Sequence, residues 1–229
     1  MAISSVPTAA AVLLLASVFA AHSIEAQDTN PSAPAKTAAA EPAVYKSDLG
    51  FSYGYPSDWE VVDTKPMMPS LKLQEEQKAT NDMEKRGAAC TQIGLLAKHG
   101  NPASILMTMA LPYDCYGTHF AASDLPGFGT GVSSGLKQSF DIKDERYSAY
   151  KSGSHNLWIE RAKGTAKKAP DEPYTIETVC VLLDKGAVCW LGMVKDDAGL
   201  KIFEQGLVTL EGDAPTALVP ASAFSDAKK

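Results

Sequence analysis

Residues Ser104 to Leu111 read SILMTMAL. Taken as a strand, they put Ile105, Met107, Met109 and Leu111 on one face and Leu106, Thr108 and Ala110 on the other. Both faces are mainly apolar, so this strand is expected inside a sheet that is covered on two sides. The covering layers must come from elsewhere in the chain, and that requirement points to an α+β class, an α/β/α sandwich with a central, mainly antiparallel sheet and helices on both faces.

Upstream, Ala89 to Ala97 has the pattern of a partner strand, and Lys98-His99-Gly100-Asn101-Pro102 between the two has the chemistry of a turn. Downstream, Leu125, Phe128, Val132, Leu136 and Phe140 recur at helical spacing, which predicts a helix over 123–140 capped by Ser123 or Asp124. Gly127, Gly129, Gly131 and Gly135 each weaken such a helix by about 1 kcal/mol relative to Ala, so packing on the sheet must hold it. They do not form a phosphate loop, because Gly135 is followed by Leu136 and Lys137 by Gln138, not by the Lys-Ser/Thr pair that such loops need.

The stretch Leu49 to Asp63, LGFSYGYPSDWEVVD, alternates Phe51, Tyr53 and Tyr55 with Ser52 and Gly54, then turns at Pro56-Ser57-Asp58 into Trp59, Val61 and Val62. It predicts the first hairpin of the core sheet, preceded by a short strand at 44–46. Residues 69–86 are rich in helix formers and predict a peripheral helix with Ser70 as cap and Gly87 as stop, its thin apolar stripe being Leu71, Leu73 and Met83. Strands are expected at 145–151 and 156–165, a polar loop at 166–172, and a hairpin of 174–183 and 187–195 turning at Asp184-Lys185-Gly186. A last helix starts at Asp196 or Asp197 and carries Leu200, Phe203, Leu207 and Leu210. Trp59, Trp158 and Trp190 all fall in strands, where packing in the core is their ordinary use.

Residues 1–26 hold an apolar run, Ala9 to Ala21, followed by small residues, the pattern of a secretory signal peptide. Residues 27–43 are rich in Ala, Pro, Ser and Thr and are expected to be a disordered spacer. The domain then occupies 44–212, and the Pro- and Ala-rich residues 213–229 are expected to be a disordered tail. The formal net charge of -6 gives no electrostatic reason to bind nucleic acid, and no stable membrane insertion is expected after export.

All four cysteines, Cys90, Cys115, Cys180 and Cys189, follow the export segment, where an oxidising compartment favours disulfides. If Leu183 pairs with Gly186 across the last hairpin, Cys180 lies opposite Cys189 at bridging distance. Cys90 opens one predicted strand and Cys115 ends its neighbour, so these two form the other pair, each bridge stabilising by about 2 to 3 kcal/mol. No C-x-x-C occurs, which leaves a redox role without support. Asp114, Cys115 and His119 could be offered as metal ligands, but a disulfide at Cys115 is the stronger reading. His99, His119 and His155 sit in predicted turns or loops, and no His-Glu-x-x-His motif is present.

The segment Phe51 to Trp59, with the pattern Phe-x-x-x-Tyr-Pro-x-x-Trp, resembles the opening of PsbP-like domains, a group that includes DcrB-like and LpqN-like exported bacterial proteins and a Ran-binding nuclear import factor. The closing strand-strand-helix at 175–210 looks like that family's ending. The resemblance implies a central antiparallel sheet with helices on both faces and no particular activity, since fold does not carry function. The function expected from these readings is an exported, non-catalytic binding or accessory module of the cell envelope. It would be periplasmic or secreted, need no cofactor, and act on an envelope protein, lipid or small molecule. The alternatives are an enzyme with a cleft site that sequence does not reveal, and a metal-dependent binder acting through His119 or nearby acids.

Overall fold

In a computed structural model describing residues 41–100 and 103–225, strand 104–112 lies between two neighbours and is covered on both faces. In chain order the elements are β1 (Ala43–Ser47), β2 (Phe51–Tyr55), β3 (Glu60–Val61), α1 (Met68–Lys78), α2 (Asp82–Cys90), β4 (Gln92–His99), β5 (Ser104–Pro112), α3 (Tyr113–Tyr116), α4 (Leu125–Ser139), β6 (Phe140–Ser152), β7 (His155–Ala166), β8 (Ala169–Leu183), β9 (Gly186–Val194), α5 (Asp197–Gln205), β10 (Leu207–Leu210) and β11 (Thr216–Ala217). They form a seven-stranded sheet in the order β3-β4-β5-β9-β8-β7-β6 and a four-stranded sheet in the order β1-β2-β10-β11. Every pairing in both is antiparallel, and the class is α+β as expected.

Period-two alternation divides the core. Ile105, Met107 and Met109 turn to one face of the large sheet, where α4 lays down Leu125, Val132 and Leu136 beside Trp158, Ile176 and Leu191. Leu106, Ile159, Val179 and Trp190 turn to the other, where they meet Phe51 and Tyr53 of β2, Phe203 of α5, and Val208 and Leu210 of β10. The glycines serve close approach. A Cβ at Gly129 of α4 would overlap the Trp158 ring, and one at Gly192 of β9 would lie 2.8 Å from the Phe203 ring.

Several sequence expectations are corrected. The aromatic stretch does not form a hairpin in the core sheet. β2 pairs with β1 and β10, while β3 joins the other sheet at β4, so Pro56 to Asp58 carry the chain from one sheet to the other. The arrangement lets Phe51, Tyr53 and Trp59 all bury against one face of the large sheet. The helix expected over 69–86 is broken, because Asn81 accepts a hydrogen bond from the Glu84 backbone N–H while the Glu84 carboxylate accepts from the Thr80 N–H and hydroxyl. Gly87 therefore lies inside α2, and Cys90 closes that helix instead of opening a strand. Residues 166–172 are not a loop, since Ala166 pairs with Ala169 across a tight turn. The last helix stops at Gln205, and Leu207 and Leu210 belong to β10.

The expected tail also folds as far as residue 225. Leu218 is 0% exposed, and Val219 and Ala223 are buried with it. The Leu218 N–H donates to the Gly206 carbonyl and the Val219 N–H to the Glu204 carbonyl, each at 2.9 Å, so the segment is tied to the end of α5. The expected signal peptide, and the spacer as far as residue 40, lie outside the described residues, and β1 begins at Ala43.

Cys180 stands opposite Cys189 in the β8–β9 ladder and is bonded to it, with a Cα separation of 4.1 Å. Cys90 is bonded to Cys115 of α3 at a Cα separation of 5.6 Å, tying α2 to α3. Peptide mapping of non-reduced protein is expected to return these two linkages, and a peptide joining Cys90 to Cys180 or Cys189 would contradict the structure. Trp59, buried and stacked on His99 at a centroid distance of 5.6 Å, is expected to cost roughly 3 to 5 kcal/mol when replaced by Ala, read as a shift in the denaturation midpoint.

Candidate functional site

The inner face of the small sheet is spent on the core, and its outer face forms a groove. Alternation along β2 sends Phe51 and Tyr53 inward and leaves Ser52 and Gly54 outward. Val44 of β1 pairs with Gly54, and Thr209 of β10 with Ser52, so these residues make the floor. Ile202 and Gln205 at the end of α5 form one side, and Pro42, Pro56 and Pro215 lie around the rim. The space is about 480 Å³ and open to solvent, and among the described residues no charged one lines it. Val44, Leu207 and Ile202 are 55%, 53% and 37% exposed, and all three converge here. An apolar patch of this kind on an acidic chain is the usual mark of an interaction surface.

Beneath the same small-sheet layer lies a charge cluster. Arg161 of β7 stands directly opposite Glu177 of β8. Its Nε donates to Glu177 Oε2, and its terminal NH2 group donates to Glu204 Oε1 on α5. Glu177 is 0% exposed, and its Oε1 has no hydrogen-bond partner among the described residues. Two carboxylates thus share one guanidinium, an arrangement whose desolvation penalty is only partly offset by attraction. Burial pushes the Glu177 carboxyl up to about 7 against the pull of Arg161, and Glu204 adds to the rise. Burial likewise raises Glu204, with Arg161 opposing it. The Phe224 ring roofs the cluster, its centroid 4.6 Å from the Arg161 guanidinium carbon and 5.8 Å from that of Arg146.

The residues singled out from sequence do not gather at either place. His99 stacks on Trp59, and His119 lies 4.5 Å from the Tyr113 ring. Cys115 is bonded to Cys90, which removes it from any metal pair with His119. Among the described residues no group of three or more His, Cys, Asp and Glu is arranged to hold a metal ion. His155 has partners that sequence could not place: its Nε2 lies 2.8 Å from Glu211 Oε2, and its Nδ1 lies 3.3 Å from both Ser154 Oγ and Asp213 Oδ2. Asp213 also accepts the Ser154 backbone N–H, and Glu211 accepts that of Asp184. The cluster staples three chain turns together, and its exposed serine is next to its histidine in sequence and not across a cleft from it.

Sequence reading missed both the groove and the charge cluster. The cluster left a signal, since Glu177 interrupts the apolar strand 174–183 and Arg161 follows Trp158-Ile159-Glu160 in another. A charge within a strand buried on both faces needs a partner. The groove left none, because Val44 and Leu207 meet only through the pairing of β10 with β2.

Among the described residues no helix is long and apolar enough to cross a membrane. No protein-family model matches the chain, and no curated protein matches it. Among solved structures it is similar to the solution structure of cyanobacterial PsbP (CyanoP) from Synechocystis sp. PCC 6803, at 9% identity and a TM-score of 0.43, covering 79% of this chain and 98% of that one.

The raised Glu177 carboxyl has a definite effect on stability. Between its ordinary value of 4.5 and about 7, the folded chain holds a proton that the unfolded chain has released. Stability is therefore expected to fall as pH rises through that window and to level off above it. Glu177→Gln should flatten most of the decline in urea midpoint between about pH 5 and about pH 8, with Glu204 and Glu160, also raised by burial, leaving a smaller slope. An identical decline in the variant would refute this assignment.

Proposed function

We propose that this chain is an exported, non-catalytic binding or accessory module of the cell envelope, and that the outer groove of the small sheet is its binding surface. The observation that carries the reading is the meeting of Val44, Ile202 and Leu207 in one groove that no charged side chain lines among the described residues. An uncharged lining favours an apolar occupant, because a charged one would lose its hydration without gaining a partner. The groove is open rather than enclosed, so it suits an apolar segment of another protein better than an acyl chain, which needs cover on most of its surface. Two disulfides among the described residues fit life in an oxidising compartment.

Leu207→Asp and Val44→Asp place a carboxylate where each side chain is already more than half exposed, so stability is expected to change by no more than about 0.5 kcal/mol. Partner capture from the envelope of the producing cells, compared side by side, should be lost in both variants. Capture of the same proteins by wild type and variants would remove the groove from the account.

A further inference from the structure

The segment that follows β10 connects the groove to the charge cluster. Pro215 stands in the groove wall. Leu218 and Val219 then bond the carbonyls of Gly206 and Glu204, and Phe224 ends over Arg161. Tyr150 of β6 donates its hydroxyl to the Leu218 carbonyl at 2.5 Å, and Ser152 meets Thr216 at 2.7 Å. Glu204 belongs to both systems, since its carboxylate pairs with Arg161 while its carbonyl holds Val219.

We propose that residues 213–225 are a strap held closed while the Glu177 carboxyl is neutral and loosened when it ionises, so that the charge of one buried acid sets the shape of the groove wall. The groups facing Glu177 are few. Arg161 comes from β7 and Glu204 from α5. Tyr53 of β2 and Tyr150 of β6 bring hydroxyls that donate to the Phe203 and Leu218 carbonyls, and Arg146 of β6 reaches the site through the Phe224 ring. Residues 214–225 carry no titratable side chain. An ionised Glu177 leaves two anions on one guanidinium with an oxygen unpartnered, and water can relieve that only if some layer lifts. The large sheet and α5 are held by extended ladders and helical packing. The strap is held by a two-residue strand, a few hydrogen bonds, the Asp213 contacts with Ser154 and His155, three buried apolar side chains and one ring over a cation, a smaller hold that makes it the layer that yields. The burial that raises the Glu177 carboxyl to about 7 puts the transition near neutrality. The link to the groove rests on the groove being the binding surface, whereas the strap's own response does not.

Hydrogen exchange read by NMR on the intact protein, corrected for intrinsic rates, separates the two. Opening of the Leu218 and Val219 amides is expected to rise about tenfold between about pH 6 and about pH 8 in wild type, while β9 amides stay better protected than the strap at both pH values. Glu177→Gln should abolish the rise. Glu204→Gln, which removes a neighbouring anion and gives Arg161 to Glu177 alone, should move it to lower pH and serves if the first variant does not fold. Strap amides that open equally at both pH values in wild type, a rise that persists in Glu177→Gln, or strap amides no less protected than those of β9 would each overturn the proposal. The readout needs no partner, so a groove that binds nothing leaves this result standing.

Discussion

Burial on both faces of the large sheet is the constraint on which the rest of the structure depends. β8 and β9 present apolar side chains above and below, with Val179 and Trp190 on one side and Ile176 and Leu191 on the other. A sheet of this kind is stable only between two layers. One layer is α4, which comes close enough to Trp158 only because Gly129 lacks a side chain. The other is assembled from pieces distant in sequence: β2, α5, β10 and the chain through residue 225.

That second layer explains where the unusual chemistry sits. Because it is built from a small sheet and one short helix, it has an outer face of its own, and the apolar side chains left there make the groove. Because it closes over β7 and β8, the charge of Glu177 is sealed beneath it and that of Arg161 is partly covered. The groove and the buried acid are therefore two consequences of one packing decision, joined physically through Glu204 and the residues that follow β10.

The sequence was legible wherever a local pattern determined the outcome. The two-sided strand at 104–111 placed β5 within the sheet, the stripe from Leu125 to Leu136 placed α4, and the turn at 184–186 put Cys180 opposite Cys189. It was misleading where a long-range partner overrode the local signal. Phe51 to Trp59 has the alternation and turn of a hairpin, but β10 and β1 compete successfully for β2. Residues 213–225 have the composition of a disordered tail, yet Leu218, Val219 and Phe224 find a prepared apolar and cationic face. The candidate site depends almost entirely on these two long-range events, which is why single-residue motifs pointed elsewhere.

The central claim is that the C-terminal segment completes the second layer instead of trailing from it. Thermal unfolding of a chain ending at Gly212 tests this most directly. Loss of the buried Leu218, Val219 and Ala223 should lower stability by at least about 3 kcal/mol, seen as a fall in Tm of at least about 5 °C. A shortened chain that melts with the full-length protein would show that the large sheet is closed by some other layer, and would contradict the account.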